Sequence, residues 1–92
     1  MHETGIVRDL VRRLESVAKD AGAERVSGVQ VWLGSLSQFS PEHFLEHYVD
    51  EAKGTIAEGA KLDILTSDDP ADPNALHVMI RSVDLEVPET ES

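Results

Sequence analysis

The sequence predicts an α+β domain in which two helices pack on one face of a three-stranded sheet, in the order αβαββ. Two stretches carry apolar residues at three- and four-residue spacing, which is typical of amphipathic helices. In three other stretches an apolar residue stands at every second position, a pattern that is typical of half-buried strands. Two helices covering one sheet face form a compact two-layer arrangement, and 92 residues suffice for one such core.

The first predicted helix has one apolar stripe and a recognisable beginning and end. Thr4 is placed to cap its start, and Gly22 is placed to end it in a left-handed conformation. The residues of the stripe are Val7, Leu10, Val11, Leu14, Val17, Ala18 and Ala21.

The first strand and the second helix follow. Val29, Val31 and Leu33 alternate with Gly28, Gln30 and Trp32, whereas Val26 is out of phase, so Ser27-Gly28 holds a bulge or starts the strand. Ser40-Pro41 is a typical helix start, and Lys53-Gly54 is a typical helix end. The buried stripe predicted for this helix is Phe44, Leu45, Tyr48, Val49 and Ala52.

The two remaining strands flank a polar loop. Leu62 and Ile64 share one face of the second strand, and residues 66–75 form the loop. In the last strand apolar residues occupy alternate positions from Leu76 onward. This pattern shifts by one residue at Arg81-Ser82, as it would at a bulge, and then continues to Val87. We therefore expect one domain over residues 1–87 and a disordered tail over residues 88–92.

Composition excludes several functional classes. The net charge of −10 disfavours nucleic acid and anionic membrane surfaces, because both require basic clusters. The chain has no cysteine, and no apolar run approaches the ~20 residues of a membrane span. With no signal-peptide pattern at its start, the protein is expected to be cytoplasmic.

The N-terminal Met1-His2-Glu3 is the best candidate for chemistry. A bulky His2 should prevent removal of Met1, so the Met1 amine, two amide nitrogens and the His2 imidazole lie close along the backbone. Four such nitrogens can form a tetragonal site of the kind preferred by Ni(II) and Cu(II).

The other candidate sites are weaker. His43 and His47 are four residues apart on the second helix, a spacing that can hold a metal, but a solvent-facing polar helix face is the simpler interpretation. His77 is interpreted as a surface residue. The chain lacks a phosphate-binding loop and an evident catalytic triad, so we expect a carrier and not an enzyme.

Trp32 is predicted to lie on the sheet face opposite the helices. Leu65 and Met79 have the same phase on the other two strands. Together they predict a homodimer or partner surface, although scattered apolar residues on a sheet face are also ordinary.

Four motifs follow one another along the chain: Met1-His2-Glu3, Val31-Trp32-Leu33-Gly34, the run from Lys53 to Leu62 (KGTIAEGAKL), and the run from Arg81 to Val87. In these motifs and their order the chain resembles the HypA-type hydrogenase nickel incorporation proteins. Met1-His2-Glu3 matches the nickel-binding N-terminus of that family, and the run from Lys53 to Leu62 is the strongest match.

The resemblance implies a function and one departure from the family. It implies Ni(II) held by Met1, His2 and Glu3, a HypB-type GTPase partner, and delivery to the hydrogenase large-subunit precursor. The family's zinc ribbon, built on two Cys-x-x-Cys pairs, is replaced by residues 66–75, so no zinc is expected. The alternative is a HypA-like adaptor or regulator that has lost metal delivery.

Overall fold

The computed structural model describes residues 3–37 and 39–88, with the side-chain surroundings described from Gly5 onward. Its elements are α1 (Glu3–Asp20), β1 (Arg25–Leu33), α2 (Pro41–Ala52), β2 (Lys61–Thr66) and β3 (Val78–Glu86). The predicted α+β class and the order αβαββ are both confirmed.

β1 is the central strand of the sheet, whose order is β2-β1-β3. It pairs parallel with β2 and antiparallel with β3. Both predicted bulges are present, because Val26 and Gly28 pair with the consecutive residues Leu85 and Asp84, and Gln30 and Val31 pair with Ser82 and Ile80. Ser27 and Arg81 are therefore the extra residues, and each one shifts the alternation of its strand.

The core lies between the inner face of β1 and the two helices. The largest side chains that are almost completely buried are Leu14 on α1, Leu33 on β1, and Phe44 and Tyr48 on α2. Gln30 and Trp32 alternate with the buried residues of β1 and are only partly buried. The helices therefore cover one face of the sheet, as predicted.

The helix ends agree with the sequence at three of four predicted positions. Gly22 follows α1 with φ 71° and Gly54 follows α2 with φ 82°, a conformation that glycine adopts without strain. The Ser40 side chain caps α2 by accepting a hydrogen bond from the His43 amide. The Thr4 cap is wrong, because α1 already includes Glu3 and Thr4 lies inside the helix.

Both predicted helix stripes are too wide. Val17 is 40% exposed, and Ala21 lies beyond the end of α1 and is also exposed. On α2, Leu45 is 44% exposed and Val49 is 53% exposed, so only Phe44, Tyr48 and Ala52 are buried. Each helix has one helical neighbour and a narrow sheet beneath it, which covers only part of its apolar surface.

A short connection joins β2 to β3 and packs on the end of β1. It occupies residues 67–77, because Leu76 is 70% exposed and β3 begins only at Val78. The Gly34 amide donates to the His77 carbonyl at 2.9 Å, and a Cβ at Gly34 would lie 2.2 Å from the Ala75 carbonyl oxygen. Gly34 therefore permits this close approach of backbone to backbone.

Two further expectations concern the chain's end and its environment. β3 ends at Glu86, so Val87 is outside the strand, and residues 89–92 of the predicted tail lie outside the described residues. No helix in the described part of the chain is long and apolar enough to cross a membrane.

Candidate metal site

The last residue of the predicted N-terminal motif, Glu3, is the first residue of α1. Met1 and His2 lie outside the described residues. The coordination expected for this motif therefore stays a prediction, while the position of α1 defines where in the molecule it would be.

The two helices run parallel to one another, which brings their N-termini to the same end of the domain. Only residues 21–24 separate α1 from β1, and the Ala23 amide donates to the Ala18 carbonyl across this turn. α2 ends beside the start of β1, since the Val26 amide donates to the Ile56 carbonyl shortly after that helix. Both helices consequently begin near Leu33, where β1 ends.

The beginning of α2 presents two histidines whose ring nitrogens converge. The Nε2 atoms of His43 and His47 lie 3.1 Å apart, and their ring centroids are separated by 4.7 Å. One of these nitrogens donates a hydrogen bond to the other, with the roles decided by the tautomers. His43 is exposed as predicted, whereas His47 is partly buried, which corrects the prediction that both face the solvent.

Phe39 explains why His47 is less exposed than its helix position suggests. Its ring centroid lies 6.1 Å from that of His43 and 6.3 Å from that of His47. It also packs edge-on against Phe44 at 5.5 Å and is itself only 8% exposed. Phe39 lies in the loop between β1 and α2, and its burial there was not predicted from the sequence.

The electrostatic setting of this end combines opposing contributions. The N-termini of both helices carry partial positive charge, which disfavours a bound cation by a few tenths of a kcal/mol in an exposed setting. Glu42 in the first turn of α2 and the net charge of −10 act in the other direction. These contributions oppose one another, so the charges at this end of the domain permit a divalent ion to bind.

In the described part of the chain, the other titratable side chains add no further metal site. Within the described residues, no group of three or more His, Cys, Asp or Glu side chains could hold a metal ion. His77 is exposed in the β2–β3 connection, as predicted. Burial raises the pKa of Tyr48 to about 12, and its hydroxyl donates to the Ala57 carbonyl at 2.9 Å, which is a structural role.

Comparison with known proteins gives a consistent result. Residues 1–72 match the family described as hydrogenase/urease nickel incorporation, metallochaperone, hypA. The hydrogenase maturation factor HypA of Chlorobium limicola is 39% identical over 64 residues, which cover 70% of this chain and 55% of that protein. The corresponding factor of Archaeoglobus fulgidus is 38% identical over 64 residues, 70% of this chain and 58% of that protein. The chain thus spans a little over half the length of these relatives.

The fold is similar to that of solved structures. The solution structure of the Ni metallochaperone HypA from Helicobacter pylori matches with a TM-score of 0.78 at 17% identity, over 96% of this chain and 100% of that one. A second solution structure, of HypA protein, matches with a TM-score of 0.74 at 17% identity, over 96% of this chain and 98% of that one. At this identity the likeness shows a shared fold.

Proposed function

The chain belongs to the HypA family of nickel incorporation proteins, and on that basis we propose that it is a nickel metallochaperone that serves [NiFe]-hydrogenase maturation. The observation that carries the proposal is the family match over residues 1–72, which includes Met1-His2-Glu3. The names of the relatives, hydrogenase maturation factors, support a hydrogenase large-subunit precursor as the recipient.

The proposed mechanism is capture and release of Ni(II) without turnover chemistry. The Met1 amine, the amide nitrogens of His2 and Glu3, and the His2 imidazole hold the ion in a tetragonal arrangement. An acceptor protein receives the ion by replacing these ligands one at a time. A HypB-type GTPase is the proposed working partner, and a homodimer through Trp32, Leu65 and Met79 is the proposed assembly.

A second candidate function is a HypA-like adaptor that has lost metal delivery. The observation that favours it is the β2–β3 connection, where residues 67–77 occupy the place expected for a zinc ribbon and the chain has no cysteine. This adaptor would keep the protein-binding surfaces of the domain and have no stoichiometric nickel site at its N-terminus.

Nickel titration of the untagged chain distinguishes the two functions. We expect calorimetry to show a site that is lost in His2→Ala and also when residues are added before Met1, because either change removes a ligand. Binding at this site should weaken as pH falls, since the amine, the imidazole and the amides must all be deprotonated to coordinate.

The matched control is His77→Ala, which removes one histidine far along the chain from the motif. It should leave the titration unchanged. Nickel binding that is unaltered by both His2→Ala and the N-terminal extension would contradict the N-terminal site, and a parent protein that binds no nickel would favour the adaptor.

A further inference from the structure

We propose that His43 and His47 form a second metal site, which binds a divalent late first-row transition-metal ion through their two Nε2 atoms. Its two ligands lie on α2, and neither belongs to the Met1-His2-Glu3 motif. The observation behind it is the convergence of the two nitrogens at 3.1 Å on the exposed side of α2.

The distance between the nitrogens fits coordination of one ion. Metal–imidazole bonds are about 2.0–2.1 Å long, so two nitrogens 3.1 Å apart form an angle of about 100° at a shared metal. This angle lies between the roughly 90° of a square-planar or octahedral site and the roughly 109° of a tetrahedral one. The ion takes the place of the hydrogen bond between the rings, and each ring turns so that its Nε2 lone pair points at the ion and not at the other nitrogen.

The surroundings hold the pair in this arrangement before any metal arrives. The two residues are four apart on a capped helix, so their Cβ atoms share one face. Phe39 packs against both rings from its own buried position, which limits the rotamers open to them. A pair ordered in advance binds with a smaller loss of side-chain entropy than two mobile histidines would.

The ligand chemistry defines the class of ion. Neutral imidazole suits Ni²⁺, Cu²⁺ and Zn²⁺, whereas Mg²⁺ and Ca²⁺ require oxygen ligands. Within the described residues no group of three or more His, Cys, Asp or Glu side chains could hold a metal, so His43 and His47 are the two ligands that this part of the chain supplies.

Its location gives the site a role beside the proposed N-terminal capture of nickel. Both helices begin at the end of the domain where β1 terminates, so His43 lies at the end from which α1 starts. A second binding point there increases the local concentration of metal around the N-terminal motif.

The test is a Ni²⁺ titration of the full chain in a His2→Ala background, where the N-terminal motif is already disabled. We expect one remaining site, weakened at least about tenfold by adding His43→Ala, since losing a direct ligand costs no less than losing a supporting contact. Adding His77→Ala instead should leave it unchanged, and Mg²⁺ should not bind there. His43 is exposed, and alanine is a better helix former, so His43→Ala should fold.

A spectroscopic measurement accompanies the titration. Paramagnetic Ni²⁺ should broaden the imidazole NMR signals of His43 and His47 before that of His77. Absence of nickel binding in the His2→Ala protein, or identical effects of His43→Ala and His77→Ala, would overturn the site. The proposed function is judged separately, by introducing His2→Ala into the protein that lacks both His43 and His47, where it should abolish the remaining binding.

Discussion

At the scale of single residues, Tyr48 links α2 to the connection that follows it. Its side chain is 2% exposed, and its hydroxyl donates to the Ala57 carbonyl at 2.9 Å. Ala57 is itself fully buried, and its amide donates to the Thr55 hydroxyl at 3.0 Å. One buried phenol thus satisfies a carbonyl that would otherwise be desolvated without a partner.

The same burial makes the contribution of Tyr48 dependent on pH. Burial raises the pKa of its phenol from 10.0 to about 12, so the folded state prefers the neutral form more strongly than the unfolded state does. The resulting stability is fully present below pH 10 and is lost as pH rises towards about 12.

We expect Tyr48→Phe to lower the free energy of unfolding at pH 8 by about 1 kcal/mol relative to the parent, because one buried hydrogen bond is lost. Above pH 10 the difference between the two free energies of unfolding should shrink by up to about 1.4 kcal/mol per pH unit. The reason is that ionisation of Tyr48 stabilises the unfolded state of the parent, whereas Tyr48→Phe has no group that ionises at this position. Urea unfolding of both proteins at pH 8 and pH 11 measures it. A difference that stays constant with pH would contradict the shifted pKa.

At the scale of elements, the run from Lys53 to Leu62 forms the turn between α2 and β2 and is held by specific contacts. Thr55 closes the end of α2 by donating to the Ala52 carbonyl at 2.7 Å, and Ala57 fills a buried position next to Tyr48. Gly54 and Gly59 have φ values of 82° and 80°, which favour glycine. The most specific motif of the resemblance is thus the turn that leads α2 back to β2.

α2 itself offers a direct test of which apolar row is buried. We expect Phe44→Ala to lower the free energy of unfolding by about 3–5 kcal/mol, because Phe44 is fully buried. Leu45→Ala, one position further on, should change it by no more than about 0.5 kcal/mol, since Leu45 is 44% exposed. Urea unfolding at low protein concentration provides both values. A large effect of Leu45→Ala would mean that something covers this row in solution.

At the scale of the whole molecule, the sheet is covered by helices on one side only. Trp32 pairs with Leu65 on β2 and with Met79 on β3, so the three residues form a row across the sheet, in agreement with the predicted phase. Gln30 donates to Asp63 at 2.9 Å elsewhere on this face. The face therefore combines one apolar row with polar surroundings, which suits a small interface.

We expect the protein to form a homodimer with Trp32 near its centre. Full burial of each such side chain contributes about 1.5–3 kcal/mol before the entropy cost of association. Trp32→Glu should abolish the dimer in sedimentation equilibrium at about 0.15 M salt, where long-range charge repulsion is screened. Leu45→Glu adds the same charge on α2 and should leave the dimer intact. A monomeric parent, or a dimer unaffected by Trp32→Glu, would contradict this interface.

The sequence by itself determined the features that depend on near neighbours along the chain. The order of elements, the Ser40 cap, the glycines after both helices and the two bulges are fixed by local hydrogen bonding, backbone conformation and periodicity, and all are confirmed. Met1-His2-Glu3 was likewise found from sequence and resemblance, and its ligand role stays a prediction.

The tertiary structure alone decided what depends on contacts between distant residues. These are the order β2-β1-β3, the single buried row of α2, and the insertion of Phe39 into the core against the two histidines. The periodicity of a helix shows which residues share a side, but neighbouring elements determine how much of that side is covered. For this reason Leu45 and Val49 were predicted as core residues although both are exposed. The spacing of His43 and His47 was visible in the sequence, whereas the contact of both rings with Phe39 was not.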